Sequence, residues 1–170
     1  MAKCSGDYVV EYYDSWIEGN KWLYIQMEYI SYSLRNILKE KPICFGRNKF
    51  EKMDSIEYFI SCQLFKQLIE CVQYLHESKP PIMHRNLCPN NILIMDSPNS
   101  QRYLKLCSFI YAKSIENDNS YHTVPIGAYG YIAPELCQGF DKKNIYNTKA
   151  DIYSLGGIAQ AIFDYDINEL

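Results

Sequence analysis

Apolar residues fall along this chain in two rhythms, and the change of rhythm divides it. From Tyr8 to Glu18 and again from Lys21 to Tyr29, β-branched and aromatic residues dominate two runs that Gly19-Asn20 separates. Glycine beside asparagine between such runs predicts a tight β-hairpin. Ser33 to Lys39 then predicts a short helix, and Glu40 to Lys52, carrying Pro42, Gly46 and several charges, predicts a surface loop. From Asp54 to His76 the rhythm becomes helical. Ile56, Phe59, Ile60, Leu64, Leu68, Cys71, Val72 and Leu75 recur at three- and four-residue steps and form one apolar stripe. Asp54 and Glu57 have the spacing of a capping box, and Lys79-Pro80-Pro81 stops the helix. Ile92 to Met95 and Tyr103 to Leu106 predict short strands around a polar turn, Asp96 to Arg102, and Ser114 to Tyr121 predicts a polar loop. Asp151 to Phe163 predicts a second helix, apolar nearly all round and suited to full burial. Strands first and then mostly helix predict an α+β protein.

Composition narrows the classes without naming one. The 170 residues suit a single domain, and 48% hydrophobic with 22% charged residues excludes a disordered chain. A net charge of -3 gives no electrostatic reason to bind nucleic acid or an anionic membrane. Cys4, Cys44, Cys62, Cys71, Cys88, Cys107 and Cys137 are odd in number, and none forms a C-x-x-C pair. That pattern suggests free thiols in a reducing compartment rather than a zinc site or a disulfide framework. The first residues lack the apolar segment of a signal peptide, and no apolar run reaches the ~18 residues of a membrane helix. The expectation is a soluble cytoplasmic protein.

The chemistry is carried by His84-Arg85-Asn86-Leu87-Cys88-Pro89-Asn90-Asn91, which has the shape H-R-D-L-x-x-x-N. Ala133-Pro134-Glu135 and Asp151-Ile152-Tyr153-Ser154-Leu155-Gly156 follow in order. Together the three segments resemble the protein kinases. Tyr12-Tyr13-Asp14-Ser15-Trp16-Ile17-Glu18, with Leu23-Tyr24-Ile25-Gln26-Met27-Glu28-Tyr29, resembles the kinases of the translation initiation factor 2 alpha subunit, and more distantly the Wee-type kinases. The resemblance implies a protein-kinase-like fold over residues 1–170. Residues 1–29 would be a remnant of the N-lobe, namely the end of its helix and the following hairpin. Residues 30–170 would be the hinge and an incomplete, mainly helical C-lobe ending near its central helix.

It also implies a set of roles. Met27 would be the gatekeeper, the Glu28 carbonyl and Ile30 amide would face the adenine edge, and Leu93 would lie beneath the ring, with Ile92 and Ile94 packed beside it. His84 and Phe109 would stack between the lobes, and Asp151 would bind the backbone of the catalytic loop. Arg85 would meet a phosphate on the activation loop, for which Ser114, Ser120, Tyr121 and Thr123 are candidate acceptors. Glu135 would pair with an arginine further on. ATP and magnesium are the implied ligands.

Several positions depart from the pattern, and they are the chemical ones. Asn86 stands where an aspartate accepts the proton of the substrate hydroxyl. A carboxamide has essentially no basicity, and a general base contributes ~10²–10⁴-fold. Cys88 stands at the position of a phosphate-steadying lysine. In Leu104-Lys105-Leu106-Cys107-Ser108-Phe109-Ile110, Ser108 replaces the metal-binding aspartate and Ile110 the glycine of D-F-G. Magnesium favours hard oxygen ligands that include carboxylates, and only Asn91 of the two metal positions survives. In Gly127-Ala128-Tyr129-Gly130-Tyr131-Ile132, Ala128 replaces a threonine of the same hydrogen-bond network.

The glycine-rich loop, the strand lysine and its glutamate partner would all precede Tyr8, where only seven residues stand. The helices that would cover the last helix are likewise missing before Leu170, so the expectation is a truncated chain, marginally stable or reliant on a partner. The predicted function is that of a degenerate kinase, a pseudokinase in translation control under stress, acting by binding a protein partner and holding ATP and magnesium weakly if at all. The alternatives are an active Ser/Thr protein kinase and a non-functional fragment of a kinase gene.

Overall fold

The computed structural model describes residues 6–49, 51–96, 102–115, 121–122, 127–136, 144–145 and 147–165. The first two strands, β1 (Tyr12–Glu18) and β2 (Trp22–Met27), pair antiparallel as the sequence predicts. Gly19 and Asn20 both adopt left-handed backbone, with φ of 59° and 52°. Two successive positive φ values make the turn whose twist matches paired strands. The hairpin stands clear of the core, with Ile17 and Leu23 each more than three-fifths exposed.

Tyr8 to Val10, which pattern alone assigns to the first strand, does something else. Its backbone pairs with Leu106: the Leu106 amide donates to the Tyr8 carbonyl and the Val10 amide to the Leu106 carbonyl, both at 2.9 Å. The Tyr8 ring stacks on Tyr74 at 4.4 Å and carries the Arg102 guanidinium at 4.2 Å on its face. Val9 and Val10 are buried there, so this strap joins the hairpin to the body. A second link is Lys105, whose Nζ lies 2.7 and 2.8 Å from the two Glu28 carboxylate oxygens.

A three-stranded antiparallel sheet in the order β3 (Tyr32–Ser33), β5 (Ile92–Ile94), β6 (Leu104–Leu106) follows the hairpin. Four more short strands lie in two-stranded ladders, β4 (Ile82–Met83) with β7 (Lys113–Ser114) and β8 (Tyr121–His122) with β9 (Asn144–Ile145). The helices are α1 (Leu34–Cys44), α2 (Ser55–His76) and α3 (Thr148–Phe163). The core lies where α2, α3 and the three-stranded sheet meet, around Leu68, Val72, Leu75, Ile92, Leu104, Leu106, Ile158 and Ile162. Among the described residues no helix is long and apolar enough to cross a membrane.

Three local expectations need correction. Helix α1 runs to Cys44, through buried Pro42, where a surface loop was predicted. It starts from Ser33, whose side chain and backbone exchange hydrogen bonds with Asn36. It continues past the proline because Lys41 and Pro42 are buried against the rest of the fold: Lys41 donates to the Ser61 hydroxyl at 3.0 Å and to the Ile162 carbonyl at 2.6 Å. Second, the stripe on α2 enters the core only from Leu64 onward, and Ile56, Phe59 and Ile60 are exposed. The inward face of its first turns is polar, with Glu57 and Ser61 fully buried. Asp54 caps α2 by accepting from the Glu57 amide at 2.8 Å, but the Glu57 side chain turns away to other partners, so only half of the capping box forms. Third, α3 is not buried all round. It begins three residues early from an Asn147 cap, and Ile152 and Tyr153 are about half exposed.

The partners of Glu57 form a buried cluster of four charges. Arg47 bonds both Glu57 oxygens and also Asp164, and Lys41 lies 3.3 Å from Glu57. Asp164 is the left-handed C-cap of α3, so two cations close the negative end of that helix dipole. Hydrogen bonding to Arg47, against an opposing burial effect, holds the Glu57 carboxyl below its ordinary 4.5. Burial pulls Lys41 down, while Glu57 first of all holds Arg47 up.

Removing one member of a buried ion cluster costs about 3–5 kcal/mol, because the remaining charges stay buried. Glu57→Gln is therefore expected to lower the unfolding free energy from urea titration by that order at pH 7, with the midpoint falling accordingly. A depressed carboxyl stabilises the fold above its unfolded value of 4.5, and that stability is lost as the pH falls through the lower, folded value. The parent protein should lose this increment in acid, and the variant should lack that part of the slope. Equal midpoints at pH 7 would show that the cluster contributes nothing.

Candidate functional site

The site is organised by one carboxylate at the start of α3. Asp151 is 1% exposed, and its two oxygens accept from the backbone amides of His84 at 2.9 Å and Arg85 at 2.8 Å. His76, the last residue of α2, adds a contact at 2.8 Å through Nε2. The loop needs this anchor because Arg85 adopts a left-handed backbone, with φ of 65°, which costs a non-glycine residue about 1–2 kcal/mol. Gly127 comes so close behind it that a Cβ there would lie 3.0 Å from the Arg85 carbonyl oxygen, at a φ of +142°.

His84 is fully buried and has its tautomer set by two neighbours. Its Nδ1 accepts from the Asn86 amide at 3.2 Å, and Nε2 then donates to the Cys107 carbonyl at 2.9 Å. Burial pushes its pKa down, against the pull of Asp151, so the ring is neutral near pH 7. The Phe109 ring lies 4.8 Å away at a tilt of 58°.

Asn86, Asn91 and Ser108 come together beside the end of β6. Asn91 ends the short 3-10 turn Pro89–Asn91, and its side-chain amide donates to the Asn86 carbonyl at 2.7 Å. The Asn91 carbonyl in turn accepts from the Cys107 amide at 3.0 Å, which ties the loop to the end of β6. Ser108 follows in left-handed backbone, φ 64° and ψ 55°. Its hydroxyl accepts a 3.3 Å hydrogen bond from the Asn86 side-chain amide. The two positions that depart most from the kinase pattern thus touch each other.

Other predicted residues lie around this centre. Cys88 is buried beside it, and burial, with Cys88 nearby, pushes the Cys107 thiol up to about 11 and the Tyr131 phenol upward. Ala128 lines a shallow cleft with Arg85, Asn86, Gly127 and Tyr131. Met27 ends β2 half exposed, and Glu28 and Ile30 follow it half buried. The Glu28 carboxylate is occupied by Lys105 and by the Glu11 amide. Leu93 sits in the middle of β5, opposite Ser33 on one side and Lys105 on the other. Glu135 is exposed in the 3-10 turn Pro134–Leu136. Ser114 pairs with Ile82, Tyr121 with Ile145, and Ser120 and Thr123 lie outside the described residues.

The donor set does not fit the magnesium that such a loop implies. It offers a side-chain amide at Asn91 and a hydroxyl at Ser108, with no carboxylate. Among the described residues no three His, Cys, Asp or Glu side chains gather to hold a metal. Sequence reasoning missed His76, Lys105 and the Lys41–Arg47–Glu57–Asp164 cluster. Their signal was weak, since each is an ordinary polar residue until its partner arrives from elsewhere in the chain.

Comparison with known proteins agrees with the loop. A family model described as the protein kinase domain matches residues 1–165. The serine/threonine-protein kinase STE7 homolog of Candida albicans is 29% identical over 157 residues, covering 92% of this chain and 23% of that protein. The probable serine/threonine-protein kinase nek3 of Dictyostelium discoideum is 32% identical over 148 residues, covering 87% and 12%. The crystal structure of the yeast RNA Pol II CTD kinase CTDK-1 complex superposes with a TM-score of 0.67 at 25% identity, over 96% of this chain and 47% of that one. This chain spans less than a quarter of the length of either curated relative.

Asp151→Ala should strip two buried amides of their acceptor, at about 1–3 kcal/mol each. Hydrogen exchange at His84 and Arg85 is expected to accelerate beyond what the loss of global stability accounts for. Exchange that tracks global unfolding alone would mean the carboxylate supports the fold without holding the loop.

Proposed function

The chain belongs to the protein kinase family, and within it we propose a pseudokinase: a Ser/Thr kinase-like domain that has lost phosphoryl transfer and acts by binding another protein. One observation carries this reading. Asn86 and Ser108, at the positions of the proton acceptor and the metal-holding carboxylate, are neutral and hydrogen-bond to each other at 3.3 Å. Neither charge that drives the reaction is present. Ala128, at the position of a threonine, removes a hydroxyl from the same network.

The supporting pattern is selective. The groups that shape the loop are in place: Asp151 on two amides, His84 against Phe109, Asn91 on the Asn86 carbonyl. A fold that keeps its frame and lacks its charges suits a docking role. The finer part of the proposal is translation control in the cytoplasm, with a kinase or translation-control protein as partner. It rests on the hairpin segments Tyr12 to Glu18 and Leu23 to Tyr29, which resemble the kinases of initiation factor 2 alpha.

The experiment is a radiolabelled ATP assay with generic protein acceptors, run on the chain and on Asn86→Asp/Ser108→Asp. No transfer is expected from the parent chain. In a chain supplied with a complete N-lobe, the double variant should exceed the same chain carrying Asn86 and Ser108 by at least ~10²-fold. Transfer by the parent chain would establish an active Ser/Thr kinase and end this reading.

A further inference from the structure

The two strands of the hairpin differ at their outer edges. Strand β1 is blunted. It carries Asp14 and Glu18, Tyr13 bulges out of the pairing, and the Asp14 carboxylate takes the Ser15 amide at 2.7 Å. Charged side chains and bulges are the devices that keep an edge strand from pairing further. Strand β2 has neither. Trp22-Leu23-Tyr24-Ile25-Gln26-Met27 holds no charge and no proline, and it pairs with β1 without skipping a residue of its own. Among the described residues no side chain bonds to its backbone.

Every residue of β2 is exposed. Alternation along a strand gives the hairpin two different faces. Trp22 and Tyr24 point to one side, where Tyr24 stacks on Trp16 at 5.4 Å. Leu23, Ile25 and Met27 point to the other. A two-stranded ribbon alone in water is marginally stable, and further strands are what stabilise it.

Charge selects the occupant of this edge. Lys21 precedes β2 and Glu28 follows it. Two antiparallel β2 strands set each lysine beside the other copy's glutamate, whereas parallel strands would set like beside like. The Glu28 carboxylate already receives Lys105 and the Glu11 amide, and its two oxygens can accept further donors. An edge bearing Asp14 and Glu18, by contrast, repels a second copy of itself. The antiparallel pair has a two-fold axis normal to the sheet, so Leu23, Ile25 and Met27 of both copies join in one aliphatic stripe.

We propose that two copies of this chain associate by antiparallel pairing of β2 with β2, giving a four-stranded sheet in the order β1-β2-β2-β1. The two-fold closes the contact, so association stops at the dimer. The interface lies in the hairpin alone and is independent of whether the site transfers phosphate.

The test is the molar mass of the whole chain by sedimentation equilibrium over a concentration series. A concentration-dependent dimer is expected. Ile25 lies near the two-fold, so Ile25→Lys sets like charges against each other and should raise the dissociation constant at least about ten-fold. Ile25→Glu should do the same. Mixing the two variants should restore the dimer, because opposite charges then meet, and a folding defect could not be mended in that way. Ile17→Lys, on the same face but on β1, should weaken the dimer far less. A parent chain that stays monomeric or assembles without limit would overturn the proposal. So would an Ile17→Lys loss equal to that of Ile25→Lys, or mixed variants that remain monomeric.

Discussion

A single buried carboxylate sets the geometry of the site. Asp151 takes the backbone amides of His84 and Arg85 on separate oxygens and receives His76 as well. Charge-assisted hydrogen bonds of this kind are about twice as strong as neutral ones. With His84 and Arg85 fixed, His84 can bond Asn86 on one side and Cys107 on the other, and the end of β6 falls into register with the loop. Left-handed backbone at Arg85 and Ser108 is tolerable only because these contacts over-determine it. The carboxylate belongs to α3, so the orientation of that helix is in effect the orientation of the loop.

Helix α3 is held at its other end by charge too. Its last turn meets Lys41 through the Ile162 carbonyl, and Asp164 meets Arg47. A helix of 16 residues spans ~24 Å, so the two charged anchors sit far apart on one rigid element. Between them Leu155, Ile158 and Ile162 pack into the core, beside one polar link from the Ser154 hydroxyl to the Tyr131 carbonyl. Polar groups fix the position of the rod, and apolar groups supply most of its burial.

Much of the frame was legible in the residues, and the reasons are local. Gly19-Asn20 specifies its turn by backbone freedom alone, and the 84–91 segment carries its family in side-chain identity. The strands flanking residues 96–102 are marked by short apolar patterns, Ile92-Leu93-Ile94 on one side and Leu104 and Leu106 two apart on the other. What could not be read depended on partners distant in sequence. Lys41 and Arg47 looked like loop charges because Glu57 and Asp164 meet them only in the folded chain. Ile56 and Phe59 looked like core because periodicity reports a face but not which face turns inward, and at the start of α2 the inward face is Glu57 and Ser61. At the site, the identities of Asn86 and Ser108 were plain. Their contact with each other required the fold.

The strap from Tyr8 to Val10 has a bearing on the order of assembly. Its partner Leu106 lies more than half the chain away, and contacts so remote in sequence form slowly because the intervening chain must first be ordered. The hairpin can close at once through its own turn, whereas its attachment must wait for β6. During synthesis from the N-terminus, Val9 and Val10 therefore emerge well before β6 and remain uncovered until it has followed. That interval is when such surfaces meet chaperones or one another, so the yield of folded protein should depend more on the rate of elongation than on the strength of the finished core.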